Sequence, residues 1–441
     1  AGGFDVVIGN PPYVRHESIQ DLKEYLNKKY LVFDPSADLY QYFIERGISQ
    51  LNNNGLFGII VANKWMRSRY GLKLREYLKS KKISEIIDFK DLPIFGKVSA
   101  YPCIIIVNNS TESEKFFTTS VNSLSRLDLR SHVIENRIEL DRTKLDVNAW
   151  NLENENIVSI LEKMRENSTE LVNFIPQKLF VGLKTGLNEA FIIDKKHADI
   201  FLGEGKDIIK KYAVGRNIKR FEDIKEYKYI ILIPNGWSKD NGINNFNDLK
   251  KRFPLISLHL EQFELKAKKR TDKGEFWWEL RTCNYYDEFE KTKIIFSEIA
   301  LRGQFTLDDQ KIYTDMTTFL IPSNSLYLLG LLNSKLITFY FKFISSEIRG
   351  NYLRWKRQYV ERIPICIDKG KLKNYSVLKE QLEKQVKIIL NNNRKLSQLK
   401  TPTERTAIER QIQATDAQID QLVYQLYGLT EEEIKIVEGT T

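Results

Sequence analysis

The stretch Gly3-Phe4-Asp5-Val6-Val7-Ile8-Gly9-Asn10-Pro11-Pro12-Tyr13 decides the fold. Phe4 to Ile8 is short, apolar and β-branched, which predicts a strand that ends in a turn. A run this apolar is of the kind buried on both faces, so the strand is expected at the centre of a sheet, not at its edge. The two prolines then stiffen the turn and remove two N–H donors. Left at the strand end are an amide side chain, carbonyl oxygens with no competing donors, and an aromatic ring. Such a set accepts hydrogen bonds from an amino group and stacks a flat ring, and ligands of open α/β sheets bind at the carboxyl ends of strands. Asn-Pro-Pro-Tyr arises by chance about once per thousand chains of this length. The plain structural alternative is a proline turn with a packed tyrosine.

Downstream, the pattern predicts a helix over about Asp38–Leu51, a strand over Leu56–Ala62, a helix over Leu72–Lys79, and strands over Ile83–Phe89 and Tyr101–Val107. Strands alternating with helices give an α/β layer with parallel strands. The last two strands have no helix between them, which predicts an antiparallel member at the sheet edge. Four strands in about 110 residues look like one half of a doubly wound sheet. Strands preceding residue 1 are therefore expected to belong to the same fold.

A helical connector is expected from about Leu152 to Glu166. From 170 to 365 short strands alternate with Gly, Asn and Asp turns, as in Phe180-Val181-Gly182, with helical segments near 245–270 and 325–346, so an α+β or mainly β domain is expected there. The C-terminus carries two helical faces, one through Leu378, Leu382, Val386 and Ile389, the other through Ile408, Ile412, Ile419, Leu422 and Leu426. Thr401-Pro402-Thr403-Glu404 between them supplies an N-cap, a first-turn proline and a capping-box glutamate, which predicts a helical hairpin. The expected domains are thus 1–150, a connector at 151–169, 170–366 and 367–441.

The whole chain has 441 residues, with 68 Lys plus Arg against 58 Asp plus Glu, a net charge of +10 and 21 Tyr. At roughly 100–200 residues per domain this is two to four domains. Hydrophobic residues at 42% and charged residues at 29% exclude a mostly disordered chain or a collagen. No apolar run of about 18 residues is found, so no membrane span is expected. Three dispersed cysteines and four dispersed histidines give no metal-ligand spacing, so no metal is expected, and a reducing compartment fits. The basic, tyrosine-rich balance is compatible with nucleic-acid binding.

The segment Gly3 to Arg15 resembles motif IV of the DNA methyltransferases that modify adenine N6. Asp38-Leu39-Tyr40, Asn63-Lys64-Trp65 and Tyr70-Gly71 with Arg75 resemble segments downstream of that motif in combined (type IIG, Eco57I-like) restriction–modification enzymes. Phe180 to Asp194, Gly215 to Arg220, Leu329 to Lys335 and Ile363-Pro364-Ile365 resemble parts of a TaqI-like target-recognition domain. The resemblance implies the C-terminal half of a doubly wound Rossmann-like methyltransferase sheet, an α+β recognition domain and a C-terminal helical hairpin. It implies that Asn10 and the Pro11 carbonyl hold the adenine amino group, that Tyr13 stacks the flipped base, and that Pro12 makes a minor cofactor contact. A second aromatic is implied in 92–100; Phe95 is preferred to Tyr101, the alternative being a core phenylalanine. Double-stranded DNA is the implied partner, in the cytoplasm of a bacterium or archaeon.

For DNA contact the basic and aromatic residues of 170–365 are the candidates: Lys184 and Thr185 at a turn; Arg216, Lys219 and Arg220; Lys266, Lys268, Lys269, Arg270 and Lys273; and Arg354, Trp355, Lys356 and Arg357 with Arg349. A solvated basic face is the alternative for any one cluster. The family's glycine-rich loop for S-adenosylmethionine lies before motif IV, and no such loop is found here. The expectation is therefore a fragment with an exposed sheet edge, which binds S-adenosylmethionine weakly or not at all and needs the N-terminal half of the same enzyme as its partner. Glu226-Tyr227-Lys228 is a chance-level nuclease signal and assigns no cleavage. Two other functions fit: a non-catalytic DNA specificity module, and a methyltransferase acting on RNA or protein.

Overall fold

A computed structural model describes residues 2–90, 92, 94–95, 101–110, 113–121, 128–150, 152, 155–345, 347–348 and 352–439. It divides into two compact units, 1–162 with 342–353 and 163–341 with 354–441.

The first unit is built on six strands, β1 (Phe4–Gly9), β2 (Leu51–Ala62), β3 (Ile83–Asp88), β4 (Pro102–Asn108), β5 (Lys115–Ser120) and β6 (Ile138–Asp141), in the order β1-β2-β4-β3-β5-β6. β1 is parallel to β2 and β3 to β5, while β4 runs antiparallel to both β2 and β3, and β6 is antiparallel to β5. The predicted antiparallel member therefore exists, but inside the sheet. Ile104-Ile105-Ile106 is apolar on both faces, and that suits an interior strand. β5 and β6 were not expected; they arise from a polar stretch whose alternation is weak.

Helices α1 (Lys23–Lys29), α2 (Tyr40–Ser49), α3 (Leu72–Lys79) and α4 (Leu129–Asn136) complete the unit. Ile44 and Ile48 of α2 and Leu74 and Leu78 of α3 share one core with Phe57, Ile59 and Val61 of β2 and Ile105 and Val107 of β4. The opposite face is covered differently along the sheet. At the β3–β5 end, Val133 of α4 joins Ile87, Phe89 and Val121 in a second small core. Under β1 and β2 that face is bare: Phe4, Val6, Leu56 and, at 85%, Ile8 are exposed.

β1 thus stands at the sheet edge with β2 as its one partner among the described residues, and not at the centre as its composition predicted. Its sequence matches burial on two faces and both edges; its surroundings here supply one of each.

In the second unit, one four-stranded sheet orders Tyr313–Thr314, Ile209–Ala213, Lys228–Ile231 and Ile192–Ile193, and another orders Phe305–Asp308, Lys293–Ser297, Thr318–Ile321 and Phe180–Val181. The helical segments expected near 245–270 and 325–346 are present, as is the connector, at Glu155–Glu166. Tyr375–Leu396 and Pro402–Leu426 form the expected long C-terminal helices, with Pro402 in the first turn and the Thr401 hydroxyl bonded to the Glu404 carboxylate. Leu378, Leu382, Val386, Ile389, Ile419 and Leu426 are buried; Ile408, Ile412 and Leu422 are only half-buried, so the second helix is sunk chiefly in its C-terminal half. A further helix, Glu431–Glu438, was not expected; it opens on a Thr430–Glu433 capping box. Among the described residues no helix is long and apolar enough to cross a membrane.

Candidate active site and nucleic-acid interface

In the first unit the candidate catalytic residues gather at the carboxyl ends of parallel strands. Asn10 follows β1 directly and is exposed, while Pro11 is buried. The Val14 N–H donates to the Pro12 carbonyl at 3.0 Å, closing a tight turn. Neither the Asn10 side chain nor the Pro11 carbonyl takes part in a hydrogen bond among the described residues. The turn is docked from outside: Leu39 N–H donates to the Val14 carbonyl at 3.1 Å, and His16 N–H to Asp38 Oδ1 at 3.1 Å. Asp38-Leu39 therefore braces the Asn-Pro-Pro-Tyr loop.

Tyr13 is half-buried, and its ring lies 5.9 Å from that of Phe95 with a 59° tilt. Its hydroxyl is buried with no hydrogen-bond partner among the described residues, and burial pushes its pKa up. The group stays a neutral phenol, suited to stacking and not to proton transfer. Tyr101, the other aromatic weighed, sits with its ring beneath Lys64 Nζ at 5.9 Å.

Asn63 follows the parallel strand β2, donating from Nδ2 to Asp88 Oδ1 at 2.8 Å. Asp88 ends β3 and also accepts from Lys90 N–H at 3.0 Å. Asp88 is not among the residues the sequence singles out; the one signal there is an acid closing the apolar strand 83–87, and the structure adds a positive φ at Lys90 two residues on. Trp65 packs edge-on against Trp150 at 5.2 Å. Buried Arg75 holds the loop after β2: it donates to the carbonyls of Trp65, Ser68 at 2.8 Å, Val147 at 2.6 Å and Asn148 at 3.0 Å. Gly71 is needed there because a Cβ would overlap the Trp65 carbonyl. These motif residues form the frame of the site, not its reacting surface.

In the second unit the candidate DNA residues separate into two sets. Lys184, Arg216 and Lys219 are exposed, and Arg354 and Lys356 are partly so. Arg216, Lys219 and Arg354 have no ion pair among the described residues; Lys184 pairs with Asp272, and Lys356 lies 3.9 Å from Glu298. Arg302, which was not singled out, is also exposed without an ion pair among the described residues.

The other set is committed to structure, which corrects four expectations. Thr185 is buried; its hydroxyl donates to Asn188 Oδ1 and accepts from Leu187 N–H. Arg220 is tied to the Asn333 carbonyl at 2.9 Å and Asp416 at 2.5 Å. Trp355 is buried and stacks on Phe341 at 3.8 Å. Arg270 is buried, donates to the carbonyls of Thr185, Trp277 and Glu279, and has its pKa brought down to about 10 by burial. A guanidinium with five donors is an efficient buried brace, and a run of basic residues does not say which member is used that way. Arg357 pairs with Glu361 at 2.6 Å, while Lys266 and Lys268 pair with Glu189 and Glu264 at 2.7 Å each. Arg349 lies outside the described residues. Trp277 and Trp278 belong to the core, as the ordinary reading of such a pair has it.

Comparison with known proteins agrees with this division. Residues 1–95 match the Eco57I restriction-modification methylase family, and residues 210–365 match the TaqI-like C-terminal specificity domain. The type II methyltransferase M.BstVI of Geobacillus stearothermophilus is 25% identical over 99% of this chain and 75% of its own length. The combined restriction enzyme and methyltransferase RM.Eco57I of Escherichia coli is 24% identical, over 99% of this chain but 47% of its own. The fold resembles that of the type IIL restriction-modification enzyme MmeI in a DNA complex, with a TM-score of 0.65 and 14% identity, over 99% of this chain and 56% of that one. The chain thus joins an Eco57I-like methylase segment to a TaqI-like specificity domain. Its homologues are type II DNA methyltransferases of restriction–modification systems.

Proposed function

We propose that this chain is the base-holding and sequence-reading part of a site-specific DNA methyltransferase that modifies adenine N6 in a restriction–modification or phage-defence system. The observation that carries the reading is the uncommitted pair of acceptors, Asn10 Oδ1 and the Pro11 carbonyl, at the carboxyl end of β1 beside the Tyr13–Phe95 ring pair. The adenine amino lone pair is delocalised into the ring, so N6 is a poor nucleophile. Two acceptors on its hydrogens draw the nitrogen toward tetrahedral geometry and localise that lone pair. This is preorganised hydrogen bonding, not general-base catalysis. The target base must leave the duplex stack, and Tyr13 offers it a planar partner. Residues 170–366 read the duplex through Lys184, Arg216, Lys219, Arg354 and Lys356, and the C-terminal helices brace that domain.

The methyl donor in this reading is S-adenosylmethionine. The residues present do not build its site: among the described residues no strand opens through a glycine-rich turn into a helix. The bare face and unpaired edge of β1 are where a further part of the same enzyme, carrying the cofactor loop, would pack. In the whole enzyme supplied with S-adenosylmethionine, duplex DNA should gain N6-methyladenine, and Asn10→Ala should slow the transfer by roughly 100-fold or more, by analogy with the loss of one preorganised hydrogen bond. A near wild-type rate for the variant refutes the assignment.

The bare β1 face also favours a second reading, in which this chain alone is a non-catalytic specificity module. Sequence-selective DNA binding without measurable S-adenosylmethionine binding would distinguish it.

A further inference from the structure

The turn Asp315-Met316-Thr317 is the point on which the separate recognition-domain motifs converge. From the Gly182–Thr185 loop, Leu183 N–H donates to the Thr314 carbonyl at 2.6 Å. From the Gly215–Asn217 loop, Gly215 N–H donates to Thr317 Oγ1 at 3.1 Å. From the loop after Lys293–Ser297, Glu298 N–H donates to the Thr317 carbonyl at 2.8 Å. The turn is closed on itself as well, by Thr317 Oγ1 to Asp315 Oδ1 at 2.6 Å and Thr318 Oγ1 to the Asp315 carbonyl at 2.7 Å. Gly182 and Gly215 permit the approach, since a Cβ on either would overlap the backbone or hydroxyl of this turn.

The residue at the tip of this clamped turn is apolar. Met316 is 46% exposed, and Ile299 and Leu301, on the loop bonded to the turn, are 48% and 51% exposed. One exposed apolar side chain is ordinary. Here three lie on two segments joined by the Glu298–Thr317 bond, and the loops bonded to the turn expose Lys184, Arg216 and Arg302, of which the two arginines have no ion pair among the described residues.

We propose that Met316 is an apolar wedge that enters the base stack when the second unit docks on duplex DNA. This rests on the DNA-binding reading above and assigns within it a residue that reads deformability. Phosphate-binding cations hold the duplex against the surface, and a turn bonded to three loops does not yield when a base step must open. Methionine is unbranched and polarisable, makes favourable contacts with flat rings, and is among the apolar side chains that wedge between base steps. Selectivity then follows from the ease of unstacking, which is greatest at pyrimidine–purine steps.

The test is selection from one randomised duplex library, in parallel, by the full chain, Met316→Ala, Met316→Leu and Arg216→Ala. The wild type should enrich a motif containing a pyrimidine–purine step. Met316→Ala should lose the preference at that step and bind the wild-type motif about tenfold more weakly with an unchanged salt slope, whereas Met316→Leu should restore both. Arg216→Ala should instead weaken all sequences and lower the salt slope by about one. Thermal unfolding should be unchanged for the exposed-site variants. If Met316→Ala enriches the same motif with the same affinity, the wedge is refuted while DNA recognition stands, and the apolar patch belongs to a protein partner instead. If the wild type enriches no motif, the DNA-binding reading fails and the wedge with it.

Discussion

The strand-end site of the first unit and the surroundings of Lys293 and Arg270 in the second treat their polar groups in opposite ways. In the first, the groups at the strand end are left free: Asn10 is exposed, and among the described residues the Pro11 carbonyl accepts nothing and the buried Tyr13 hydroxyl has no hydrogen-bond partner. In the second, buried polar groups are consumed by structure. Lys293 and Asp308 are almost fully buried and meet at 2.5 Å; Lys293 also donates to the Phe289 carbonyl, and Asp308 accepts from Ile312 N–H. Arg220 and Arg270 serve as braces. Unsatisfied groups are costly to bury and persist where function requires them, whereas satisfied networks specify a fold. The difference predicts that substitutions in the second unit register first as stability, and those at the Asn10 site as activity.

Three substitutions would break or sharpen that contrast. The largest effect is expected at the buried ion pair. Lys293→Met removes one partner and leaves Asp308 as a buried, uncompensated carboxylate, so unfolding free energy should fall by about 3–5 kcal/mol. Chemical denaturation measures this, and a loss below about 1 kcal/mol would show that the pair is not structural.

The second lies at Asp420, which accepts a hydrogen bond from Lys335 N–H at 2.8 Å and has Lys335 Nζ at 3.9 Å. Burial pushes its carboxyl up from 3.8 to about 6, assisted by nearby Asp416 and opposed by Arg220 and Lys335. A carboxyl with a raised folded-state pKa binds its proton more tightly when folded. Its contribution to stability is therefore complete below the ordinary pKa and is lost as pH rises through about 6. Asp420→Asn keeps an acceptor and removes the charge, so it should stabilise the chain by about 1–3 kcal/mol near pH 7.5, with a smaller gap to wild type near pH 5. Melting curves at the two pH values check the sign; a gap that widens on acidification would contradict it.

The smallest effect on stability is expected at the candidate catalytic loop itself. Asn10→Ala removes an exposed amide with no hydrogen-bond partner among the described residues, so unfolding free energy should change by no more than about 0.5 kcal/mol. A larger loss would show that Asn10 holds its loop together and would undo the contrast.

How much of this was legible in the sequence obeys the same division. Phe4–Ile8, α3 and the long C-terminal helices were readable because each rests on local composition or periodicity, and the turn at Asn10 to Tyr13 because two prolines end the strand. The place of β4 was not, because strand order is set by contacts between distant residues and Ile104-Ile105-Ile106 fits any interior position. That β1 stands at an edge was unreadable for a related reason: composition reports what a strand is suited to, not which neighbours are beside it. Arg220, Arg270 and Trp355 were misread because a basic or aromatic residue in a cluster looks the same whether it faces water or fills a core, and Thr185 because a turn position does not say which way its hydroxyl faces. The turn at Met316 was missed because its importance comes from three loops far apart in the chain.

The two glycines at that turn carry one more consequence. Gly182 and Gly215 let their loops close on the turn, and the bonds that hold the tip come from the backbone and from Asp315, Thr317 and Thr318, with none from the Met316 side chain among the described residues. Location and identity are thus encoded separately. The frame is intolerant of change, the tip is free to vary, and a new side chain can be displayed at the same coordinates without refolding its support.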